Sequence, residues 1–149
     1  MPPDDDQLRA IGRVTLLFND LEHSMNLLVW RLINPDINIG RIVLEGEGFD
    51  RMLKRLTRLS QEVAREDLEL RGTIRQWANR ADNVRIRRNG VLHARWIFSL
   101  ASGEMVAVRG LGKAPGEVDI SAAALDRLAN DIHHVAVELE SIGRRVLYP

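Results

Sequence analysis

The sequence predicts a mainly α-helical fold: an antiparallel bundle of four to five helices with one β-hairpin inserted before the last long helix. Four long segments carry apolar residues at every third or fourth position, which is typical of helices that bury one face. Residues 95–109 instead alternate in polarity around a Ser-Gly pair, and this pattern predicts a hairpin. Helices with one apolar face each can bury those faces by packing against one another.

Length and composition are those of a single globular domain that spans residues 1–149. The chain has no cysteine, which excludes disulfides, thiolate metal sites and cysteine nucleophiles. No apolar run approaches the roughly 20 residues that cross a bilayer. Residues 1–6 are acidic, unlike the start of a signal peptide, and we expect them to form a loose, flexible tail. The expected location is the cytoplasm, away from membranes.

The first two helices are predicted over residues 7–33 and 49–65. The first ends at Asn34-Pro35, because proline disfavours helical geometry in the residue before it. Residues 36–48 are ambiguous: their apolar positions fit either a short helix or a packed loop, and Gly46 and Gly48 follow them.

The third helix, over residues 67–92, has the clearest apolar stripe and one interruption of it. Continued beyond Val84, the spacing reaches residue 88 and then Val91, and position 88 is an arginine. A charge on a buried stripe is costly unless it is paired or faces a polar cavity. Such departures from the pattern mark candidate functional sites. The stripe before it consists of Leu70, Ile74, Trp77, Ala81 and Val84.

The remainder of the chain contains the hairpin and the last helix. Trp96 begins the alternation, Ser102-Gly103 is the predicted turn, and a glycine-rich link, 110–116, follows. Ser121 is a candidate N-cap for a final helix with another stripe of three- and four-residue spacing.

The 21 basic residues balance 21 acidic ones, but their distribution is uneven. Arg85, Arg87, Arg88 and Arg95 lie in one short stretch, and the planar donor fork of arginine suits phosphate and carboxylate groups. The cluster therefore predicts an anion site. A solvated helix face or ion pairs within the chain explain the same cluster equally simply.

Within this stretch, Arg88 is followed by the polar Asn89 and, five positions on from Arg88, by His93 near the expected helix end. This segment resembles the signature of the HEPN superfamily (higher eukaryote and prokaryote nucleotide-binding domains). A hairpin beginning at Trp96 and a final closing helix resemble the plan of one bacterial branch. The motif covers about ten residues, whereas the architectural resemblance covers most of the chain.

The resemblance implies a metal-independent RNA endonuclease without cofactors, acting as a homodimer and serving as a toxin or defence ribonuclease. Arg88 and His93 are then the catalytic pair, Asn89 a supporting residue, and RNA the substrate. A cognate antitoxin protein is a candidate partner. Such cleavage uses the ribose 2′-hydroxyl as nucleophile, histidine as the proton carrier and arginine as the phosphate ligand. The candidate RNA-binding residues beside the pair are Arg85, Arg87, Arg95 and Trp96.

Helical geometry restricts how this pair works. On a regular helix, residues 88 and 93 point about 140° apart, so their side chains converge only if the helix unwinds near Gly90 or if two protomers combine their motifs. Glu22, beside the stripe of the first helix, is a candidate partner that orients Arg88; it is equally well explained as a surface acid. Arg87 also fits the loose spacing of the motif and remains an alternative to Arg88.

Two other functions remain open. One is a HEPN-like module that binds RNA or protein without turnover, since a fold does not guarantee activity. The other is a structural helical dimer in which Arg88 forms an internal ion pair with Glu22.

Overall fold

The computed structural model describes residues 3–98, 100–108 and 117–148; within these, no side chain is described for 95–98, 105 and 117. Helices form most of this part of the chain, so the predicted fold class is confirmed. In chain order the elements are α1 (Asp5–Ile33), α2 (Ile37–Val43), α3 (Phe49–Val63), α4 (Leu68–Leu92), β1 (Arg95–Phe98), β2 (Met105–Val108), β3 (Glu117–Val118) and α5 (Ala122–Leu147).

Helix α1 begins two residues earlier than predicted, so the expected loose tail over residues 1–6 is wrong for residues 4–6. Asp4 is the N-cap: its side chain accepts from the Gln7 backbone N–H, and the Gln7 side chain accepts from the Asp4 N–H. This reciprocal pair satisfies two backbone donors. Asp5 and Asp6 then lie in the first turn, where the helix dipole favours negative charge. Residues 1 and 2 lie outside the described residues.

The ambiguous segment forms the short helix α2, which Asp36 caps by accepting from the Asn38 N–H. Gly40 faces α1 so closely that an added Cβ atom would lie 2.6 Å from the Cα atom of Trp30. Glycine therefore permits this approach of the two backbones. The helical interpretation of the segment is the correct one.

Two pairs of neighbouring helices are antiparallel, as predicted. These are α3 with α4, which a short turn joins, and α4 with α5. In the latter pair, Arg145 lies near Asp67 and Trp77 donates from Nε1 to the Val135 carbonyl at 2.9 Å. Arg87 contacts Asp131, so the contacts advance in opposite directions along the two helices.

Helices α1 and α5, in contrast, run parallel. Gln7 donates to the Ile120 carbonyl at the start of both helices, Arg13 pairs with Asp126 one to two turns later, and Leu28 lies beside Gly143 near their ends. Helix α4 runs back to the end of the bundle at which α1 begins, so α5, which follows it, also starts at that end.

One apolar cluster joins α1, α3, α4 and α5. The stripe of α4 is buried as predicted, from Leu70 to Val84 and again at Val91. The predicted hairpin is also confirmed: β1 pairs antiparallel with β2, Trp96 lies opposite Ala107, and Gly103 in the turn has a φ of +71°. The strand β3, which the sequence pattern does not predict, adds to β2 and completes a three-stranded sheet. Arg109 and the link 110–116 lie outside the described residues.

Candidate functional site

The interruption in the apolar stripe of α4 lies against α1. Arg88 is partly buried, and its guanidinium carbon lies 4.9 Å from the centroid of the Phe18 ring. Phe18 in turn packs against Phe49 of α3, with ring centroids 4.7 Å apart. The π-face of an aromatic ring attracts a cation and can partly replace the water that burial removes. Arg88 is thus tolerated on the stripe because an aromatic surface lies beneath its charge.

The hydrogen-bonding groups of Arg88 are only partly satisfied. Its Nη1 donates to the Asn89 side-chain oxygen at 3.0 Å. Its Nε is buried and has no hydrogen-bond partner. Among the residues that the structure describes, no carboxylate lies within ion-pairing distance of Arg88. A cation with a free donor and no internal counter-ion is suited to an external anion.

Glu22 is not the ion-pair partner of Arg88, contrary to expectation. It lies one helical turn after Phe18 on α1 and is partly buried. The guanidinium of Arg88 rests on the aromatic ring, one turn before Glu22, and no ion pair joins the two residues. The structural-dimer alternative therefore loses the internal pair on which it was based.

His93 is the C-cap of α4, and its imidazole is exposed. Its backbone N–H donates to the Asn89 carbonyl at 3.0 Å, so the helical hydrogen-bond pattern continues to this residue. Gly90 is helical and buried, and the helix does not unwind there. Arg88 and His93 of one chain consequently point in different directions, about 140° apart around the helix. Asn89 connects them, since its side chain contacts Arg88 and its backbone contacts His93.

The two arginines beside the motif are engaged in internal ion pairs. Arg85 donates from Nε to Asp82 at 2.8 Å, and Arg87 donates from Nη1 to Asp131 of α5 at 2.6 Å. Ion pairs within the chain therefore account for the Arg85 and Arg87 members of the arginine cluster. The same contacts bear on the identity of the motif arginine: Arg87 has an acidic partner, whereas Arg88 has none within the described part of the chain. Arg88 is therefore the better candidate.

Arg95 and Trp96 contribute backbone to β1, opposite Val108 and Ala107 respectively. Their side chains lie outside the described residues, so their proposed RNA-binding role stays a prediction.

A second basic region lies in α3 and α4. The sequence-based prediction missed it because the net charge of the whole chain is zero. Residues 49–92, which contain α3 and α4, carry 11 basic and 6 acidic residues, although the complete chain is balanced. Between the two helices lies a cavity of about 370 Å³ lined by Arg58, Gln61, Glu62, Arg65 and Arg71. Counting charge for each helical hairpin separately would have indicated this region.

Neither a metal site nor a membrane span is found within the described residues. They contain no group of three or more histidine, cysteine, aspartate or glutamate side chains placed to hold a metal ion. None of the helices described combines the length and the apolar character needed to cross a bilayer.

Comparison of the chain with family models, with curated proteins and with solved structures finds no match. We therefore base the proposed function on the geometry of the site.

Proposed function

We propose that this chain is a HEPN-like, metal-independent RNA endonuclease that works as a homodimer, with Arg88 and His93 as its active pair. One observation supports this most strongly. Arg88 lies on the apolar stripe with a buried, unpartnered Nε and without an acidic partner among the described residues. A partly buried guanidinium in this state gains most from binding an anion such as a phosphodiester.

The chemistry follows from the two side chains. The RNA 2′-hydroxyl attacks the adjacent phosphorus, so that a bond from O2′ to phosphorus forms and the bond from phosphorus to O5′ breaks. Neutral His93 is suited to take the 2′-hydroxyl proton, and a protonated imidazole is suited to give one to the leaving O5′. Arg88 would donate to the non-bridging oxygens, where negative charge grows in the transition state. The products are a 2′,3′-cyclic phosphate and a 5′-hydroxyl.

The homodimer belongs to the proposal because of the helix geometry. Within one protomer, the unbroken helix keeps Arg88 and His93 on different faces. Two α4 ends that meet at a two-fold axis would bring Arg88 of one protomer towards His93 of its partner. On the resemblance we further propose that the enzyme is a cytoplasmic bacterial toxin or defence ribonuclease, held by a cognate antitoxin.

The test is cleavage of cellular RNA and tRNA in EDTA by the wild type and by Arg88→Ala and His93→Ala. We expect cyclic-phosphate ends from the wild type and their loss in both variants. Arg75→Ala and His134→Ala, which remove exposed residues of the same types elsewhere, are the matched controls and should cut normally. Circular dichroism and light scattering would verify folding and the dimer. Equal cutting by Arg88→Ala and the wild type would contradict the proposal.

A mixing experiment tests the shared cleft. In a heterodimer of Arg88→Ala with His93→Ala, a site built from both protomers retains one intact Arg88–His93 combination, whereas a site within one protomer retains none. Recovery of activity on mixing two inactive variants is therefore the expected result. Dimers that exchange subunits but stay inactive would show that the cleft is not shared.

The second candidate function is a HEPN-like module that binds RNA or protein without cleaving RNA. It is favoured by the separation of Arg88 from His93 in one protomer and by the internal ion pairs of Arg85 and Arg87. For such a module, RNA or a protein partner would bind and Arg88→Ala would weaken the binding, while RNA ends would stay unchanged.

A further inference from the structure

The cavity between the end of α3 and the start of α4 contains an unusual arrangement of charge. Three of its five lining residues are arginines: Arg58, Arg65 and Arg71. Glu62 is the acid among them, and it is bound to Arg65 by a 2.6 Å ion pair. That hydrogen bond lowers the pKa of the Glu62 carboxyl, so this pair persists near neutral pH. The other two guanidinium groups form no ion pair within the described part of the chain, although the charge of Arg71 contributes to lowering the pKa of the Glu62 carboxyl.

Arg71 provides a second, independent observation. Its side chain is partly buried, and its Nε is one of the few described side-chain atoms that are buried and lack any hydrogen-bond partner. A buried N–H without an acceptor is costly, particularly on a charged group. An oxyanion in the cavity would accept from this N–H and would also neutralise the adjacent positive charge.

We propose that Arg58, Arg65 and Arg71 form a binding site for a phosphate group. The cavity of about 370 Å³ is large enough for a phosphate and a small part of its attached molecule. Arg71 lies on α4 with its buried Nε free to donate, the exposed Arg58 lies on α3, and the exposed Arg65 lies in the turn that follows α3. Three guanidinium groups around one cavity match the several acceptor oxygens of a phosphate.

This site is distinct from the motif at the other end of α4. Arg71 and Arg88 are separated by 17 residues, which corresponds to about 25 Å along a helix axis. The same phosphate chemistry is present in a free phosphate compound and in the backbone of RNA. The proposal does not depend on the proposed nuclease activity, because binding here requires neither Arg88 nor His93.

The experiment measures the binding of two probes to the full chain by titration calorimetry. Pyrophosphate represents a free phosphate compound. A short 2′-O-methyl RNA with a 5′-hydroxyl represents the backbone, and it cannot be cleaved through its 2′-oxygen. Binding of pyrophosphate alone would assign the site to a free phosphate compound, and binding of the RNA would assign it to a nucleic-acid backbone. In either case, higher salt should weaken binding, as expected for contacts between ions.

Variants decide whether the cavity is responsible. Arg58→Gln removes an exposed charge that forms no ion pair among the described residues, and we expect it to raise the Kd about tenfold. Arg71→Lys keeps the charge but removes the buried Nε donor, and we expect a similar loss. Arg51→Gln and Arg75→Gln, at exposed arginines of α3 and α4 outside the cavity, should change the Kd less than twofold. If neither probe binds, if Arg58→Gln binds normally, or if the controls lose as much, the proposal is wrong.

Discussion

The guanidinium carbon of Arg88 lies 4.9 Å from the centre of the Phe18 ring, on a helix 70 residues earlier in the chain. This contact explains how a charge occupies the apolar stripe of α4 without a carboxylate beside it. It also leaves the charge available, because an aromatic face attracts a cation without neutralising it. An acidic partner in the same place would have competed with any external phosphate.

The contact predicts a measurable coupling between the two residues. In a double-mutant cycle with Phe18→Leu and Arg88→Met, the coupling free energy should be about 0.5–2 kcal/mol, the range for partly buried cation–π pairs. Urea unfolding of the four proteins gives this value. A parallel cycle of Phe18→Leu with Arg87→Met serves as the control, because Arg87 contacts Asp131 instead, and it should show almost no coupling. Equal coupling in the two cycles would contradict the contact.

Arg88 should contribute little to stability in spite of its central place. Its unsatisfied Nε costs about 1–3 kcal/mol, whereas the ring contact contributes about 0.5–2 kcal/mol. We therefore expect Arg88→Met, which fills the stripe with an apolar chain, to leave the free energy of unfolding unchanged or to raise it by about 1 kcal/mol. Thermal and urea unfolding measure this. A loss above 1 kcal/mol would mean that Arg88 is mainly a structural residue.

Gly40 should tolerate substitution poorly. Gly40→Ala would place a methyl group 2.6 Å from the Cα atom of Trp30, and because backbone cannot rotate away, α2 must move. We expect a loss of about 2 kcal/mol or more. Gly72→Ala in α4 is the matched control: nothing lies within 4 Å of its added Cβ, so it should gain about 0.5–1 kcal/mol. Calorimetric melting would detect both changes, and a neutral Gly40→Ala would refute the close approach.

Acid should weaken the connection between α2 and α3. Arg55 donates from Nε and Nη2 to the two carboxylate oxygens of Glu47, at 2.7 and 2.6 Å, and these bonds lower the pKa of the Glu47 carboxyl. Because the folded pKa is below the unfolded one, the contribution to stability is complete above the unfolded pKa. It is lost as the pH falls through the folded value.

An NMR titration of Glu47 checks the direction of this shift. Arg55→Gln should return the Glu47 pKa towards that of an ordinary exposed glutamate. Arg65→Gln, which removes the different ion pair with Glu62 at the end of α3, should leave it unchanged. A Glu47 titration that is identical with and without Arg55 would contradict the contact.

Most helices are predicted well from the sequence because helical periodicity is a local property. The stripe of α4, the break in it at position 88 and the turn at Gly103 are all evident from the residue pattern alone. The sequence pattern predicts a start for α1 that is two residues too late, because the capping role of Asp4 depends on a reciprocal bond with Gln7 that an acidic run alone does not reveal. The two-residue strand β3 has no periodic signal and forms only by pairing with β2.

For the candidate site, sequence and structure agree on the unusual setting of position 88. The choice of Arg88 over Arg87 agrees with their surroundings, because Arg87 has an acidic partner and Arg88 has none in the described residues. The expected ion pair with Glu22 is not formed, because Arg88 lies against Phe18, one helical turn before Glu22 on α1. Sequence indicates which face of α1 is buried, but the level at which α4 crosses that face depends on how the two helices pack.

By itself, the sequence determined the helical class, the positions of the apolar stripes and the anomaly at residue 88, since each depends on residues within a few turns of one another. Tertiary structure alone decided the parallel direction of α5 and α1, the aromatic contact of Arg88, and the meeting of Arg58 with Arg71 in one cavity. The physical reason is that these contacts join helices far apart in the chain. Their geometry depends on the direction, level and rotation of each packed helix, and a repeat along one helix carries no record of these.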